Sequence, residues 1–96
     1  MANYRIFETE TFQGDIARIS RAGLVRIKEK LREHVYSQLR LEPHFGPHIK
    51  RLKNWDPATW GYRIGAWRFF YEINEKEKIV FMTAADHRGR AYKGSA

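Results

Sequence analysis

The most informative part of the chain is residues 62–73, which read YRIGAWRFFYEI. Aromatic and branched side chains, which favour β-strands, dominate this segment on both sides of Gly65-Ala66. A two-residue loop with glycine at its first position fits a tight hairpin turn, so we predict two antiparallel strands here. The register of that hairpin sets Arg63 directly opposite Arg68.

The two faces of the predicted hairpin differ in chemistry. Strand alternation directs large apolar side chains to one face, where we expect helices to pack. These side chains are Tyr62, Ile64, Trp67, Phe69, Tyr71 and Ile73. The other face carries Arg63, Arg68, Phe70 and Glu72.

The pair of arginines on the polar face suggests an anion site. Two guanidinium groups opposite each other on a ladder repel, at a cost of up to about 1 kcal/mol. A phosphate held between Arg63 and Arg68 would turn this repulsion into attraction. Two alternatives stay open: both side chains point away into solvent, or the carboxylate of Glu72 or Asp86 neutralises one of them.

The segments around the hairpin complete a small α+β domain. A strand is predicted at Tyr4–Glu8, and Phe12, Ile16 and Ile19 follow at helical spacing. A second helix is indicated by apolar residues at every third or fourth position, namely Leu24, Ile27, Leu31, Val35 and Leu39. A last strand is predicted at Ile79–Ala85. This order of strand, helix, helix and three-strand meander predicts a mainly antiparallel twisted sheet with two helices on one face.

Length and composition exclude several classes of protein. The 96 residues leave room for one domain, spanning 1–96, and the 43% hydrophobic content argues against disorder. The absence of cysteine excludes a disulfide scaffold and a thiol nucleophile. No apolar run has the length of a signal peptide or approaches the ~20 residues that span a bilayer. We therefore expect a cytoplasmic protein without a membrane partner.

Positive charge is concentrated in the second half of the chain. The whole sequence has a net charge of +7, and the residues after His48 contribute ten basic and five acidic side chains, or +5. Nine of the fourteen aromatic residues also lie there. Cations interleaved with aromatic rings are typical of proteins that bind nucleic acids. A solvated basic surface or an acidic protein partner would explain the charge equally well.

Histidine spacing gives no support to a metal site. His44 and His48 are four residues apart, but Pro47 lies between them and prevents them from sharing one helical face. The sequence has neither a glycine-rich phosphate loop nor a serine nucleophile elbow. We predict that the protein uses no metal and no cofactor.

The segment 86–93, DHRGRAYK, carries groups suited to phosphodiester cleavage: an imidazole, two guanidinium groups, a phenol and an amine. Cleavage of RNA requires removal of a proton from a 2′-hydroxyl, stabilisation of charge on phosphorus oxygens, and protonation of the departing oxygen. Histidine titrates near neutrality, and a tyrosine beside cations can move a proton or stack on a base. A basic tail without chemistry is the alternative.

The order and spacing of three motifs resemble the RelE/ParE superfamily of bacterial toxin–antitoxin toxins. The motifs are IKRLK at 49–53, the hairpin at 62–73, and HRGRAYK at 87–93. The resemblance runs through nearly the whole chain and implies a small RelE-like domain. It also implies one of two activities, because RelE-like members cut mRNA in the ribosomal A site without a metal, whereas ParE-like members poison DNA gyrase.

The resemblance implies roles for individual residues. Arg68 matches the hairpin arginine that contacts the scissile phosphate, and Arg88 matches the arginine of the ending motif. His87 and Tyr92 match positions of proton-transfer or base-stacking residues, which completes the predicted catalytic set. The predicted RNA-binding set is Lys50, Lys53, Arg63, Arg90 and Lys93.

Two features depart from the motifs. Asp86 stands where small residues are frequent, and its carboxylate is expected to pair with Arg63 or Arg88 and weaken the site. The connection Trp55–Trp60 is longer and more aromatic than the motif requires. Its two tryptophans either pack under the edge of the sheet or stack on nucleobases.

The resemblance therefore implies a toxin of a type II toxin–antitoxin system that inhibits translation as a ribosome-dependent mRNA endoribonuclease. The expected partners are mRNA on the ribosome and a cognate antitoxin that contacts the two helices and covers Arg63 and Arg68. Two alternatives stay open: an inhibitor of DNA gyrase without nuclease activity, and an inactive remnant that binds only its antitoxin.

Overall fold

The computed structural model describes residues 3–21 and 26–87, which form two helices and five strands. The second helix, α2, has three consecutive parts: an α-helical turn at Ile27–Lys30, a π-helical turn at Leu31–Val35 and an α-helical segment at Tyr36–Leu41. The remaining elements are β1 (Arg5–Glu8), α1 (Glu10–Arg21), β2 (Ile49–Arg51), β3 (Trp60–Ile64), β4 (Trp67–Asn74) and β5 (Ile79–His87). Leu24, assigned above to the second helix, lies outside the described residues.

All five strands belong to one sheet in the order β1-β5-β4-β3-β2. Strand β1 pairs with β5 in parallel, and the other neighbours are antiparallel. This arrangement confirms the predicted α+β fold with a mainly antiparallel sheet. The short strand β2, which pairs with β3 at one edge, was not expected as a strand, because three residues are too few to show a pattern of their own.

The core lies between the helices and one face of the sheet. Phe12 and Ile27 enter it from α1 and α2, while Phe69, Tyr71 and Met82 enter it from the sheet, all five being fully buried. Each large side chain removed from water in this way contributes about 1.5–3 kcal/mol. The apolar face predicted for the β3–β4 hairpin is confirmed, since its residues are buried or packed against this core.

The β3–β4 hairpin has the predicted register. Arg63 pairs with Arg68 across a two-residue turn at Gly65-Ala66. Gly65 has a φ of +60°, a backbone conformation that costs glycine little because it has no Cβ. The turn therefore explains why the two arginines lie side by side.

Thr9, which lies between β1 and α1, caps the N-terminus of α1. The Thr9 hydroxyl accepts a hydrogen bond from the backbone N–H of Phe12 at 3.2 Å, as an N-cap does. The same hydroxyl lies 3.0 Å from the carbonyl oxygen of Met82, to which it donates. This pair of bonds joins the start of the helix to β5.

A β-bulge in strand β5 changes the direction of the side chains that follow it. Tyr71 of β4 pairs with Met82, but Phe70 pairs with Ala84, so Thr83 is the extra residue. Its hydroxyl donates to the Phe70 carbonyl oxygen at 3.2 Å. Beyond the bulge, Ala85 is on the core face with Met82, and the residues next to it in sequence, Ala84 and Asp86, are on the opposite face.

Candidate nucleic-acid interface

The face of the sheet turned away from α1 and α2 carries three of the predicted site residues, Lys50, Arg63 and Arg68, and we call it the open face. One row of paired residues crosses it from β3 to β5, in the order Arg63, Arg68 and Asp86. Arg63 is exposed to solvent, whereas Arg68 and Asp86 are partly buried. The two arginines therefore occupy the arrangement that the sequence predicted, and a carboxylate extends the row.

Asp86 holds Arg68 by two charge-assisted hydrogen bonds. The Arg68 Nε donates to Asp86 Oδ1 at 2.9 Å, and the Arg68 Nη2 donates to Oδ2 at 3.2 Å. Both side chains keep about a quarter of their surface accessible, 27% and 28%. This confirms the alternative in which Asp86 neutralises one of the two hairpin arginines, because the register places Asp86 opposite Arg68. The expected pairing of Asp86 with Arg63 is wrong, since the Asp86 carboxylate bonds Arg68, and a pairing with Arg88 lies outside the described residues.

A second row, two residues further along the strands, is aromatic at its centre. It runs Lys50, Gly61, Phe70 and Ala84 across the four strands from β2 to β5. Trp55 stacks on the Phe70 ring, with 5.8 Å between ring centroids and 14° between ring planes. The Arg68 guanidinium lies 6.0 Å from the centre of the same Phe70 ring. Phe70 thus connects the cationic row to an exposed tryptophan.

The two tryptophans of the β2–β3 connection separate to opposite faces of the sheet. Trp60 packs against the core, where its ring stacks on Tyr71 with a centroid distance of 6.4 Å. Trp55, in contrast, is 53% exposed on the open face. The prediction that they pack under the sheet therefore holds for Trp60, while for exposed Trp55 the alternative of base stacking stays a prediction.

Lys50 and Lys53 lie near the aromatic row at the β2 edge, whereas Arg51 is on the core side, where its guanidinium lies 5.5 Å from the centre of the Trp60 ring. Lys50, Arg51 and Lys53 are all exposed. A depression of ≈ 330 Å³ is lined by residues 51–55, which include two of these cations and Trp55. The predicted RNA-binding residues Lys50 and Lys53 therefore lie next to the open face, close to the residues that stack.

His87 does not lie beside Arg68. It pairs with Trp67 on β4, and the two rings meet edge to face with 4.8 Å between their centroids. Because Trp67 belongs to the core face, the His87 imidazole is on the side of the sheet opposite to the Arg68 guanidinium. The other four predicted site residues in this part of the chain, Arg88, Arg90, Tyr92 and Lys93, lie outside the described residues.

The tyrosines of β3 and β4 face the core and are unsuited to accept a proton. Burial raises the pKa of Tyr62 and, more strongly, the pKa of Tyr71. The Tyr71 hydroxyl donates a hydrogen bond to the Pro43 carbonyl oxygen at 2.7 Å. Both phenols therefore stay protonated at neutral pH and serve the packing of the core.

Two carboxylates contact His44, whose ring meets the Trp60 ring edge to face. The His44 Nδ1 lies 3.0 Å from Glu42 Oε2, and the Nε2 contacts Glu75 Oε2. The backbone N–H of His44, which donates to Glu42, is the main cause of the lowered pKa of that carboxyl group. Within residues 3–21 and 26–87, no group of three or more such side chains is arranged to hold a metal ion. The same described residues include no helix long and apolar enough to cross a membrane.

Comparison with known proteins identifies the fold. No protein-family model and no curated protein sequence matches the chain. Among solved structures, a chain of the RelBE2 toxin–antitoxin complex from Mycobacterium tuberculosis is 26% identical, with a TM-score of 0.69 over 92% of this chain and 94% of that one.

Two further structures share the fold at lower identity. A chain of the RelE–RelB complex from Pyrococcus horikoshii is 22% identical, with a TM-score of 0.63 over 92% of this chain and 98% of that one. The YoeB/ParE toxin from Agrobacterium tumefaciens is 20% identical, with a TM-score of 0.68 over 86% and 96%.

These likenesses define a class of small α+β toxins with two helices on one side of a sheet. The chain belongs to the RelE/ParE-like toxin superfamily of toxin–antitoxin systems, as its motifs indicated.

Proposed function

We propose that this toxin is a metal-independent endoribonuclease that cleaves mRNA on the ribosome. The observation that carries the proposal is the row Arg63–Arg68 beside the exposed Trp55–Phe70 stack. Guanidinium groups bind phosphate, and rings stack on unpaired bases, so together they suit single-stranded RNA. The flanking Lys50 and Lys53 add backbone contacts.

The proposed reaction needs no group beyond the substrate and the protein. A general base takes the proton of the 2′-hydroxyl, whose oxygen attacks the adjacent phosphorus. The bond from phosphorus to the 5′-oxygen breaks, and a general acid protonates that oxygen. The products are a 2′,3′-cyclic phosphate and a 5′-hydroxyl end. Arg68, with Arg63 beside it, stabilises the extra negative charge on the phosphorus oxygens.

The proton-transfer roles of His87 and Tyr92 stay predictions, as does the phosphate-binding role of Arg88. An imidazole is the side chain best suited to exchange a proton near neutral pH. The core-side position of His87 means that RNA bound to the open face would have to reach around the sheet where β4 begins and β5 ends to meet it. Single replacements His87→Ala and Tyr92→Phe therefore test these roles independently of Arg68.

We also propose that the partner is an antitoxin with an acidic amphipathic segment. The related structures from Mycobacterium tuberculosis and Pyrococcus horikoshii are toxin–antitoxin complexes. In this chain, a groove of ≈ 500 Å³ between the helices has an apolar floor that includes Ile16 and Leu31. Lys28, Arg32 and Arg40 line the same groove. This combination suits the apolar face and the carboxylates of such a segment.

Primer extension on a translated mRNA tests the nuclease proposal. Brief expression of the wild-type chain should produce discrete cuts, and Arg68→Ala should remove them. Arg21→Ala, which deletes one positive charge at the exposed end of α1, should leave the cuts unchanged. Cleavage on ribosomes should persist when the purified toxin alone is treated with EDTA and then freed of it before the ribosomes and their Mg²⁺ are added. Full cutting by Arg68→Ala would contradict the proposed phosphate contact.

Inhibition of DNA gyrase is the second candidate function. It is favoured by two observations: Asp86 already pairs with Arg68, and His87 lies on the other face of the sheet. Supercoiling assays with purified gyrase decide between the candidates. Inhibition of supercoiling with intact mRNA would support this function, whereas neither activity would indicate a chain that only binds its antitoxin.

A further inference from the structure

We propose that Trp55 and Phe70 form a binding site for one unpaired nucleobase, immediately beside the phosphate that Arg68 contacts. The inference rests on the proposed action on RNA and specifies how the substrate lies on the open face. It assigns binding and positioning, and no chemical step, to the β2–β3 connection.

The connection between β2 and β3 has a defined structure that presents Trp55. The backbone N–H of Leu52 donates to the Thr59 carbonyl oxygen at 2.9 Å and closes the loop. The buried Thr59 hydroxyl donates to the Pro57 carbonyl oxygen at 3.0 Å. Asn54 has a φ of 64°, a left-handed conformation that asparagine tolerates better than most residues. These features hold the indole in place before any ligand arrives, which lowers the entropy cost of binding.

Below Trp55, small residues flank Phe70 in its row. Gly61 lies on one side of Phe70 and Ala84 on the other. A Cβ at Gly61 would lie at ordinary contact distance, 4.0 Å from the Phe70 ring and 3.7 Å from the Leu52 side chain, so a longer side chain there would compete with a ligand for the space beside Phe70. The small residues therefore keep the sheet surface beside the aromatic pair open to a planar ligand.

The charges around the aromatic pair favour a nucleotide over an apolar peptide. Arg68 lies within 6.0 Å of the Phe70 ring, and Lys50 is on the same row as Phe70. Neighbouring rows on one face are two residues apart, which corresponds to about 7 Å along a strand. A nucleotide carries its base and its phosphate on either side of one sugar. One nucleotide can therefore place its phosphate at Arg68 and its base at Trp55.

Binding of two decamers that differ only in their bases tests the proposal. One is a fluorescently labelled 2′-O-methyl uridine decamer, which lacks the attacking hydroxyl and therefore stays intact. The other has the same sugar-phosphate chain without bases. The full-length chain is compared with Trp55→Ala, Trp55→Phe and Arg68→Ala. Phe45→Ala is the matched control, because it removes another exposed aromatic ring, in the loop after α2.

Loss of the indole should weaken binding only when bases are present. Trp55→Ala should bind the uridine decamer about 5- to 100-fold more weakly, which is the usual effect of removing one stacked base contact. Its affinity for the abasic decamer should stay at the wild-type value. Trp55→Phe should restore most of the affinity, and Phe45→Ala should match wild type. Arg68→Ala should weaken both decamers.

Two results would contradict base stacking on Trp55, and both differ from the result that would contradict RNA binding altogether. If Trp55→Ala binds the uridine decamer as wild type does, the indole contributes no base contact. If it weakens both decamers equally, the change is in the fold or the charge of the loop. If the wild-type chain binds neither decamer even at low salt, the open face does not bind RNA at all.

Discussion

The carboxylate of Asp86 should compete with RNA for Arg68. Both Arg68 hydrogen bonds to Asp86, at 2.9 and 3.2 Å, use donors that a phosphate would need. The Arg68–Asp86 ion pair has two hydrogen bonds, and each side chain keeps about a quarter of its surface exposed. Such a pair stabilises the protein by about 1 kcal/mol, near the upper end of the range for partly exposed ion pairs. Asp86→Asn should therefore bind single-stranded RNA about 5-fold more tightly.

The salt dependence of binding gives a second measure of the same change. If Arg68 gains a phosphate contact in Asp86→Asn, the slope of log affinity against log salt should steepen by about 0.7 for single strands. Binding of the uncleavable uridine decamer between low and physiological salt measures this slope. Glu72→Gln is the matched control, since it removes the same charge from the same open face, on β4 where Asp86 is on β5.

A general increase in positive charge would affect Asp86→Asn and Glu72→Gln alike. We expect a larger gain for Asp86→Asn, together with faster mRNA cleavage at limiting enzyme. Equal affinities for the two variants, or weaker binding by Asp86→Asn, would refute the idea that Asp86 competes for Arg68. Weaker binding would indicate that Asp86 orients the guanidinium for RNA.

Three further substitutions test individual contacts that stabilise the fold. Tyr71→Phe should lower the free energy of unfolding by about 1–3 kcal/mol in urea, because a buried carbonyl loses its hydrogen-bond donor; an unchanged midpoint would contradict this. Asp15→Ala should cost about 1–3 kcal/mol and speed amide exchange at Ala85, whose N–H donates to Asp15 at 3.0 Å; unchanged exchange there would count against it. Contacts with His44 lower the pKa of Glu42 in the folded protein. The ionised carboxylate therefore stabilises the fold fully above the ordinary glutamate pKa. This stabilisation is lost as the pH falls through the lower pKa of the folded state. Glu42→Gln should therefore cost less than about 1 kcal/mol at pH 7 and nothing once the pH is well below the lowered pKa of Glu42, and a cost independent of pH would exclude this role.

The hairpin could be predicted from the sequence because its determinants are local. Alternation along residues 62–73 separates the apolar side chains from the polar ones, and Gly65-Ala66 sets the register. The pairing of Arg63 with Arg68 follows from those two facts alone. The core face was predictable for the same reason, since burial of the large side chains leaves only one orientation for each strand.

The aromatic part of the site was less accessible to sequence reasoning. Trp55 and Trp60 belong to the same short connection, yet Trp60 packs on the core and Trp55 stacks on Phe70. Their separation depends on where the loop closes between Leu52 and Thr59, which is a long-range property of the β2–β3 pairing. The one local signal was Gly61, whose missing side chain marks a place where something else approaches the sheet.

The sequence by itself determined the α+β class, the hairpin with its two arginines, and the basic and aromatic character of the second half. Only the tertiary structure decided which residues of β5 share a face with those arginines. If the side chains of β5 alternated without a break after the buried Val80 and Met82, Asp86 would point into the core and His87 would lie on the open face. The bulge at Thr83 reverses this order, so Asp86 meets Arg68 and His87 meets Trp67. The bulge depends on groups distant in sequence, the Phe70 carbonyl and the Asp15 carboxylate, which no local pattern reveals.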